Sequence, residues 1–503
     1  MPATPSPPRS GRLALPLVGA VLGAALSWVS SRGLIDDSYI TLAYARNLAE
    51  HGHWGMTPGI TSNAATSPLN VGLLALGFLL ARPFAGVDGE LALGVVTTLL
   101  VAVAAGCAGY VTRRAAISPA WAVAGLVVVL ANPLLVSALG LEVVLLFTAM
   151  TALLAAGLAG RPVVFGVVAG LALLARLDTV VFIVVLALAC HGVRRRLPSA
   201  VLACCVVALP WFAASWYWLG SAIPDTFVIK TNQKNFGPDR TYLRGLWTHY
   251  WPNTPVAVGV GVAGAAIGVL VLVVLVLLLV RRRDGVRAGL IGLGVAGALY
   301  FGVYSVLGVP PYQWYYVPPA AALSFVAVLG LGVLLRDRGR RVLTVGLSLA
   351  AVAGLGFSVP AAAFPLPWAY PPVFGNFATP AEYHAIGARV GRIVGDERVQ
   401  APGEIGELAY SCDCEIVDQF SDPAVLQPLI DERIANADPV LARLLTWNYA
   451  RRDPGPAQPT PWVLRWRSAA VKPPQGVAQW TTTAGTWRTK DELVLFRAQD
   501  ATP

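Results

Sequence analysis

A succession of apolar runs, most of them about as long as a bilayer is thick, constrains this chain more than any other feature. They fall near 13–32, 91–111, 117–136, 142–159, 163–176, 178–192, 199–218, 255–280, 287–307, 316–335 and 342–361. A helix that crosses a bilayer needs about 20 apolar residues. Charge is correspondingly sparse: 13% of the 503 residues are charged, against about 25% in an ordinary soluble domain. Most of the chain therefore belongs in lipid. The net charge of +10 does not indicate nucleic acid, because the basic residues form no face or stripe. They stand in short clusters between apolar runs, the positive-inside pattern of a multi-pass membrane protein.

Arg9 and Arg12 precede the first run, which reads as an uncleaved anchor with its basic end in the cytoplasm. Two segments leave a choice. Residues 163–192 make one span or two short ones, and the run at 68–84, "PLNVGLLALGFLLARPF", either crosses or lies in the outer interface. Two spans at 163–192 and an interfacial 68–84 place every arginine cluster, at 113–114, 161, 194–196, 281–283 and 336–341, on the inner side. Eleven crossings follow, with the C-terminus outside. After residue 363 the pattern changes. "FPLPWAYPPVFGNFATP" is a connector rich in proline and aromatics. "PAEYHAIGARVGRIV" has the period of an amphipathic helix, while "RVQAPG" and "CEIVDQF" read as short strands. The expected architecture is a mostly α membrane bundle over 1–363 and a mixed α/β domain over 364–503. The bundle sits in a bacterial plasma membrane and the second domain lies outside it.

This threading gathers the polar residues at one side. The outer face receives Asp36, Asp37, Glu142, Arg176, Asp178, Lys230, Lys234 and the aromatic loop "PPYQWYY" at 310–316. Asp36 and Asp37 open "DDSYITLAYARNL", whose Ile40, Ala43, Tyr44 and Leu48 form one helical stripe. Acids in a first turn suit the helix dipole. A close pair also suits a general base or a ligand for a divalent cation. Glu142 reads as a helix-start acid, and Arg176 with Asp178 as an ion pair at a tight turn, although charges at that depth commonly face a cavity. Lys230 and Lys234 are two of only four lysines, the others being Lys472 and Lys490. An ammonium suits phosphate and also snorkels to an interface.

Other candidates are weaker. "HGHW" at 51–54 lacks a third metal ligand in register and reads as a turn bounded by glycines. Cys107, Cys190, Cys204 and Cys205 lie in apolar runs as small hydrophobes. Cys412 and Cys414 are too closely spaced for a zinc knuckle, but a disulfide between them can form outside the cytoplasm. Trp447, Trp462, Trp466, Trp480 and Trp487 are core residues or platforms for sugar rings.

In order along the chain these segments resemble the GT-C superfamily of polytopic glycosyltransferases. Within it the sequence is most similar to mycobacterial cell-wall transferases that add terminal β-1,2-arabinofuranose. "IDDSYITLAYARNLAEHGHW" and "TSNAATSPLNVGLL" resemble that family's first outer loop, and "ALGLEVVL" its Gly-Leu-Glu helix start. "LLARLD" stands where the family has Arg-Pro-acid, with Leu177 in place of the proline. "WYWLGSAIPDTFVIKT" is similar to its lysine-bearing loop. "GEIGELAYSCDCEIVDQFS" is similar to the strand–turn–strand that opens its outer domain. The loop departs from the family at Ile60 and Thr61, where glutamate is common.

The resemblance implies an inverting transfer from a polyprenyl-phosphate sugar, which needs no nucleotide, to a cell-wall polysaccharide or lipoglycan. Asp36 or Asp37 would be the base, and Lys230 and Arg176 would hold the donor phosphate. Glu142, Asp178, Tyr39, Asn63, Thr226, Tyr312 and Trp314 would bind substrate. A divalent cation is compatible with the acids. Transfer of mannose or glucose from the same kind of donor is the nearest rival. A flippase for lipid-linked sugars would call for an inverted repeat, and the sequence shows none. An envelope-assembly scaffold would leave the acids unexplained.

Overall fold

The computed structural model describes residues 10–86, 88–233, 236, 241–279, 284–335, 366–468, 476–483 and 491–500. Lys234, Lys472, Lys490, Trp487, the clusters at 281–283 and 336–341 and the expected span at 342–361 lie outside the described residues. Among the described residues, six helices are long and apolar enough to cross a membrane: Leu13–Ser30, Gly89–Ala115, Leu197–Trp218, Pro255–Leu278, Gly285–Val306 and Gln313–Leu334. Shorter apolar helices occupy Pro68–Phe84, Ala120–Leu130, Val143–Leu158, Pro162–Ala175 and Leu177–Ala189.

Local chemistry explains where the helices stop. The run at 117–136 is not one helix. Ala120–Leu130 ends ahead of Asn132, which is extended (φ −67°, ψ 122°) and accepts from the Leu134 N–H. The proline at 133 disfavours helical backbone in the residue before it. Residues 163–192 are likewise two helices. Pro162–Ala175 stops at Arg176, which is extended at φ −163° and ψ 136°. One 3₁₀ turn over Leu177–Thr179 then leads into Val180–Ala189. The break lets the Arg176 side chain leave the helix axis and turn into the bundle.

The acid pair opens the helix Asp36–His51 as expected, with Ile40, Ala43 and Tyr44 buried. The "HGHW" segment is the turn that follows it. Gly52 is left-handed at φ 63°, Asn47 donates to the carbonyls of Gly55 and Met56, and the His53 ring meets the Ile60 carbonyl at 2.9 Å.

The connector seats on the bundle through the Trp368 N–H to the Val29 carbonyl (2.9 Å) and the Val373 N–H to Ser137 Oγ (2.8 Å). Beyond it, Pro380–Val394 starts on a capping box of Thr379 and Glu382, the reciprocal pair that satisfies two helix-end donors. Among the described residues five strands form one sheet: β1 Val399–Gln400, β2 Ile416–Val417, β3 Trp462–Ser468, β4 Ala478–Thr481 and β5 Asp491–Arg497, in the order β2-β1-β3-β5-β4. The first three run parallel, while β5 is antiparallel to both β3 and β4.

One expectation is corrected here. The segment from 403 to 417 is not strand–turn–strand, because the helix Gly406–Cys412 lies between β1 and β2. Leu408, Ala409 and Cys412 recur at helical spacing and are buried, which decides the local structure. Cys412 and Cys414 are joined as a disulfide, with Asp413 left-handed between them.

Candidate functional site

Asp36 has no side-chain cap ahead of it on its own helix and instead reaches the C-terminal α/β region. Its Oδ2 accepts from the N–H groups of Ile405 (3.1 Å) and Gly406 (2.9 Å), and its Oδ1 from that of Glu407 (2.9 Å). Its carboxylate thus sits on the first turn of Gly406–Cys412, where free N–H groups and the helix dipole favour negative charge. Residue 406 has to be glycine for the two backbones to meet, since a Cβ there would stand 1.8 Å from the Asp36 carbonyl oxygen. Gly406→Ala should therefore lift the C-terminal α/β region from the bundle, and Asp36→Ala should leave three buried N–H groups without an acceptor. Limited proteolysis of the full chain in lipid should cut the connector several-fold faster in both variants. Unchanged cleavage would show that the contact is not what holds the domain.

Glu404 stands beside this junction. It accepts from Asn376 Nδ2 (3.1 Å), the Phe377 N–H (3.0 Å) and the Tyr383 hydroxyl. Burial, and next the Asp36 charge, hold its carboxyl above the usual range. Burial also pushes Glu407 and Asp418 up to about 7, against the pull of His384 on the first and of the Phe420 and Ser421 N–H groups on the second. Folded acids with raised values bind protons more tightly than the unfolded chain does. The stability they contribute is complete below about pH 4 and is lost as the pH rises through about 7. Heating the protein with a protease at pH 6 and pH 8 should show the C-terminal α/β region opening at lower temperature at pH 8. A higher opening temperature at pH 8 would contradict this.

Asp37, one residue on, points elsewhere. Its Oδ1 accepts from Lys230 Nζ at 3.0 Å in a partly buried ion pair. The Lys230 ammonium also faces the rings of Tyr312 (4.4 Å), Phe420 (5.2 Å) and Trp314 (5.4 Å), an aromatic surround that favours a cation. Burial pulls the Lys230 pKa down, but the Asp37 charge opposes it and the net direction is upward. The lysine helix, Thr226–Asn232, is held from below. Asp225 pairs with Arg452 at 2.9 Å and accepts from Ser221 Oγ at 3.1 Å. Asn63 donates to Ser215 Oγ and to the Ser221 carbonyl.

Arg176 is the centre of a second polar knot. It reaches Glu142 Oε1 (3.1 Å), both oxygens of Asp178, and the hydroxyls of Tyr304 (2.9 Å) and Tyr300 (3.2 Å), with the Tyr315 ring 4.9 Å away. Two carboxylates face one guanidinium, so this knot carries no excess positive charge of its own.

Two cavities adjoin these groups. One, of about 160 Å³, lies between the bundle and the C-terminal α/β region and is lined by Asp36, Asp37, Lys230, Gln313, Asn376 and Glu404 among others. The other, of about 50 Å³, is lined by Thr66, Ser67, Glu142, Arg176, Thr226 and Tyr315 among others. Asp37, Ile40, Lys230, Trp314 and Phe420 line both, so the ion pair is part of their common wall.

Of the residues singled out from sequence, Asp36, Asp37, Lys230 and Trp314 come together, with Tyr312 on the larger cavity and Glu142, Arg176 and Thr226 on the smaller. Three are placed apart from both cavities. Tyr39 packs on Tyr410 at 5.5 Å between ring centres, Asn63 holds the lysine loop, and Asp178 lies behind Arg176 with Tyr300. Glu404, Asn376, Gln313 and Phe420 escaped the sequence reading. Only the "GEIGE" segment hinted at the first of them, and it looked like part of a strand.

The donor set does not fit a divalent cation well. Among the described residues no three His, Cys, Asp or Glu side chains are grouped to hold a metal. Both Asp36 oxygens are committed to backbone N–H groups, and Lys230 occupies the place beside Asp37 where a cation would stand.

No family model and no curated protein sequence matches the chain. Solved structures do. ArnT from Cupriavidus metallidurans bound to undecaprenyl phosphate is 16% identical with a TM-score of 0.58, covering 99% of this chain and 100% of its own. The same protein in its apo state gives 15% and 0.54, covering 98% and 99%. The apo Archaeoglobus fulgidus oligosaccharyltransferase gives 12% and 0.51, covering 91% of this chain and 69% of its own. Identity this low speaks for shape alone: the chain shares the fold of these proteins, a mostly helical bundle followed along the chain by a mixed α/β region.

Proposed function

We propose that the protein is an integral-membrane inverting glycosyltransferase. It moves a sugar, arabinofuranose on the sequence resemblance, from a polyprenyl-phosphate donor to a cell-envelope polysaccharide or lipoglycan at the outer face. One observation carries the reading: Asp37 and Lys230, 3.0 Å apart, form a wall common to two cavities. A base and a phosphate-binding cation are needed side by side, with the two substrates meeting at them. The similarity in fold to a protein seen with undecaprenyl phosphate supports a lipid-phosphate donor.

The donor's phosphate lies against Lys230 on the side of the smaller cavity. Arg176 has five N–H groups and one on Nη1 is left for the phosphate once Glu142, Asp178 and the tyrosines are served. The acceptor enters the larger cavity, where Asn376, Gln313 and Glu404 offer hydrogen bonds. Asp37 Oδ1 is held by Lys230, so Oδ2 takes the acceptor hydroxyl proton. The acceptor oxygen bonds to the anomeric carbon as the bond to the phosphate oxygen breaks. Polyprenyl phosphate leaves with the electron pair, its charge met by Lys230. A single displacement inverts the anomeric centre. Asp36 positions the outer domain and with it the acceptor side.

The test is transfer by the purified chain in lipid, offered polyprenyl-phosphate arabinofuranose, mannose and glucose in parallel with a glycan acceptor. Transfer of arabinofuranose is the expected result. Transfer of only mannose or glucose would keep the chemistry and replace the sugar. Movement of the intact donor between leaflets without transfer would overturn the proposal.

A further inference from the structure

The outer domain has a helix whose apolar side faces away from its own core. In Pro439–Asn448, Leu445 and Asn448 are buried, while Val440, Leu444 and Trp447 are 69%, 53% and 57% exposed. Their spacing of four and three residues sets them in one stripe. A contiguous exposed apolar stripe marks an interaction surface.

What covers the stripe follows from where the helix is fixed. Trp216 Nε1 donates to the Trp447 carbonyl at 2.9 Å. The Asn448 side chain accepts from the Ile223 N–H at 2.9 Å and donates to the Ile223 carbonyl. The buried Arg452–Asp225 pair closes the same contact. Trp216 is two residues from the end of Leu197–Trp218, a membrane-crossing candidate whose Leu202, Val206 and Leu209 are bare of protein. At about 1.5 Å of rise per residue, Trp447 is therefore tied within one turn of that helix's end. Tyr217 and Trp218 there are exposed, as aromatics at a membrane–water boundary are. The helix 439–448 contains no acid after its cap and one base, Arg443, stacked 4.8 Å over Trp447. Arg451 lies 4.8 Å over Tyr217. Apolar stripe, aromatic belt and flanking arginines are the elements of an interfacial helix.

We infer that Pro439–Asn448 lies on the outer leaflet of the membrane. Val440, Leu444 and Trp447 are immersed at the acyl boundary, and Arg443 and Arg451 stand at the level of anionic phospholipid phosphates. The partner is the lipid surface itself, and the helix is a second attachment of the outer domain to the bilayer. This inference is independent of the transferase proposal.

A spin label tests it. In the full chain, Cys107, Cys190, Cys204 and Cys205 are replaced by alanine, Cys412 and Cys414 are kept, and a nitroxide is attached at Leu444→Cys. The protein is placed in nanodiscs of phosphatidylglycerol and phosphatidylcholine. The label should collide with oxygen several-fold more, relative to a water-soluble nickel chelate, than a label at Glu432→Cys on the exposed end of the preceding helix. Replacing Arg443 and Arg451 by glutamine should make the depth at 444 shallower in phosphatidylglycerol. Equal nickel access at 444 and 432 would overturn the inference. So would protection from both reagents that grows with protein concentration, since a second protein would then be the partner.

Discussion

Asp37→Asn should slow transfer from a polyprenyl-phosphate sugar by about 10²–10⁴-fold, the range that a positioned general base contributes. The amide has nearly the shape of the carboxylate and can still accept from Lys230, so the 3.0 Å contact should survive and donor binding should change little. The loss should appear in kcat. Measured in lipid with saturating donor, full activity in Asp37→Asn would remove Asp37 as the base. Asp36→Asn separates the two acids. It keeps one acceptor oxygen for the N–H groups at 405–407, so the fall should be smaller and accompanied by faster cleavage of the connector.

Lys230→Met should also cost about 10²–10³-fold, the scale seen when one group that meets transition-state charge is removed. The thioether keeps the packing against Tyr312, Trp314 and Phe420 while removing the ammonium. The departing phosphate loses its cation, and Asp37 loses the charge beside it. Donor KM should rise together with the fall in kcat, which distinguishes this variant from Asp37→Asn. Lys230→Arg should recover part of the loss. If Lys230→Met bound and turned over donor normally, the phosphate would have to be held elsewhere. Arg176 is the alternative, and the two carboxylates it faces make it the weaker one.

The two acids show how far the sequence reaches. That an adjacent pair stands at the end of an apolar run is visible in one dimension, as is the isolation of Lys230 in a chain of arginines. Their division of labour is not. Neighbours on a helix point about 100° apart, so Asp36 meets the N–H of Gly406, 370 residues away, while Asp37 meets Lys230, 193 residues away. Nothing local distinguishes the two roles. The break at Arg176 was legible as two short apolar runs, but its web of partners at Glu142, Tyr300 and Tyr304 depends on two other helices.

Burial of apolar length is a local and additive property, and so the sequence by itself determined the apolar helix bundle and the mixed α/β character of the region after it. Glu404, Asn376 and the exposed stripe on 439–448 gain their surroundings only when the C-terminal α/β region comes down on the bundle. A polar side chain takes its chemistry from what it faces, and that was decided by the tertiary structure.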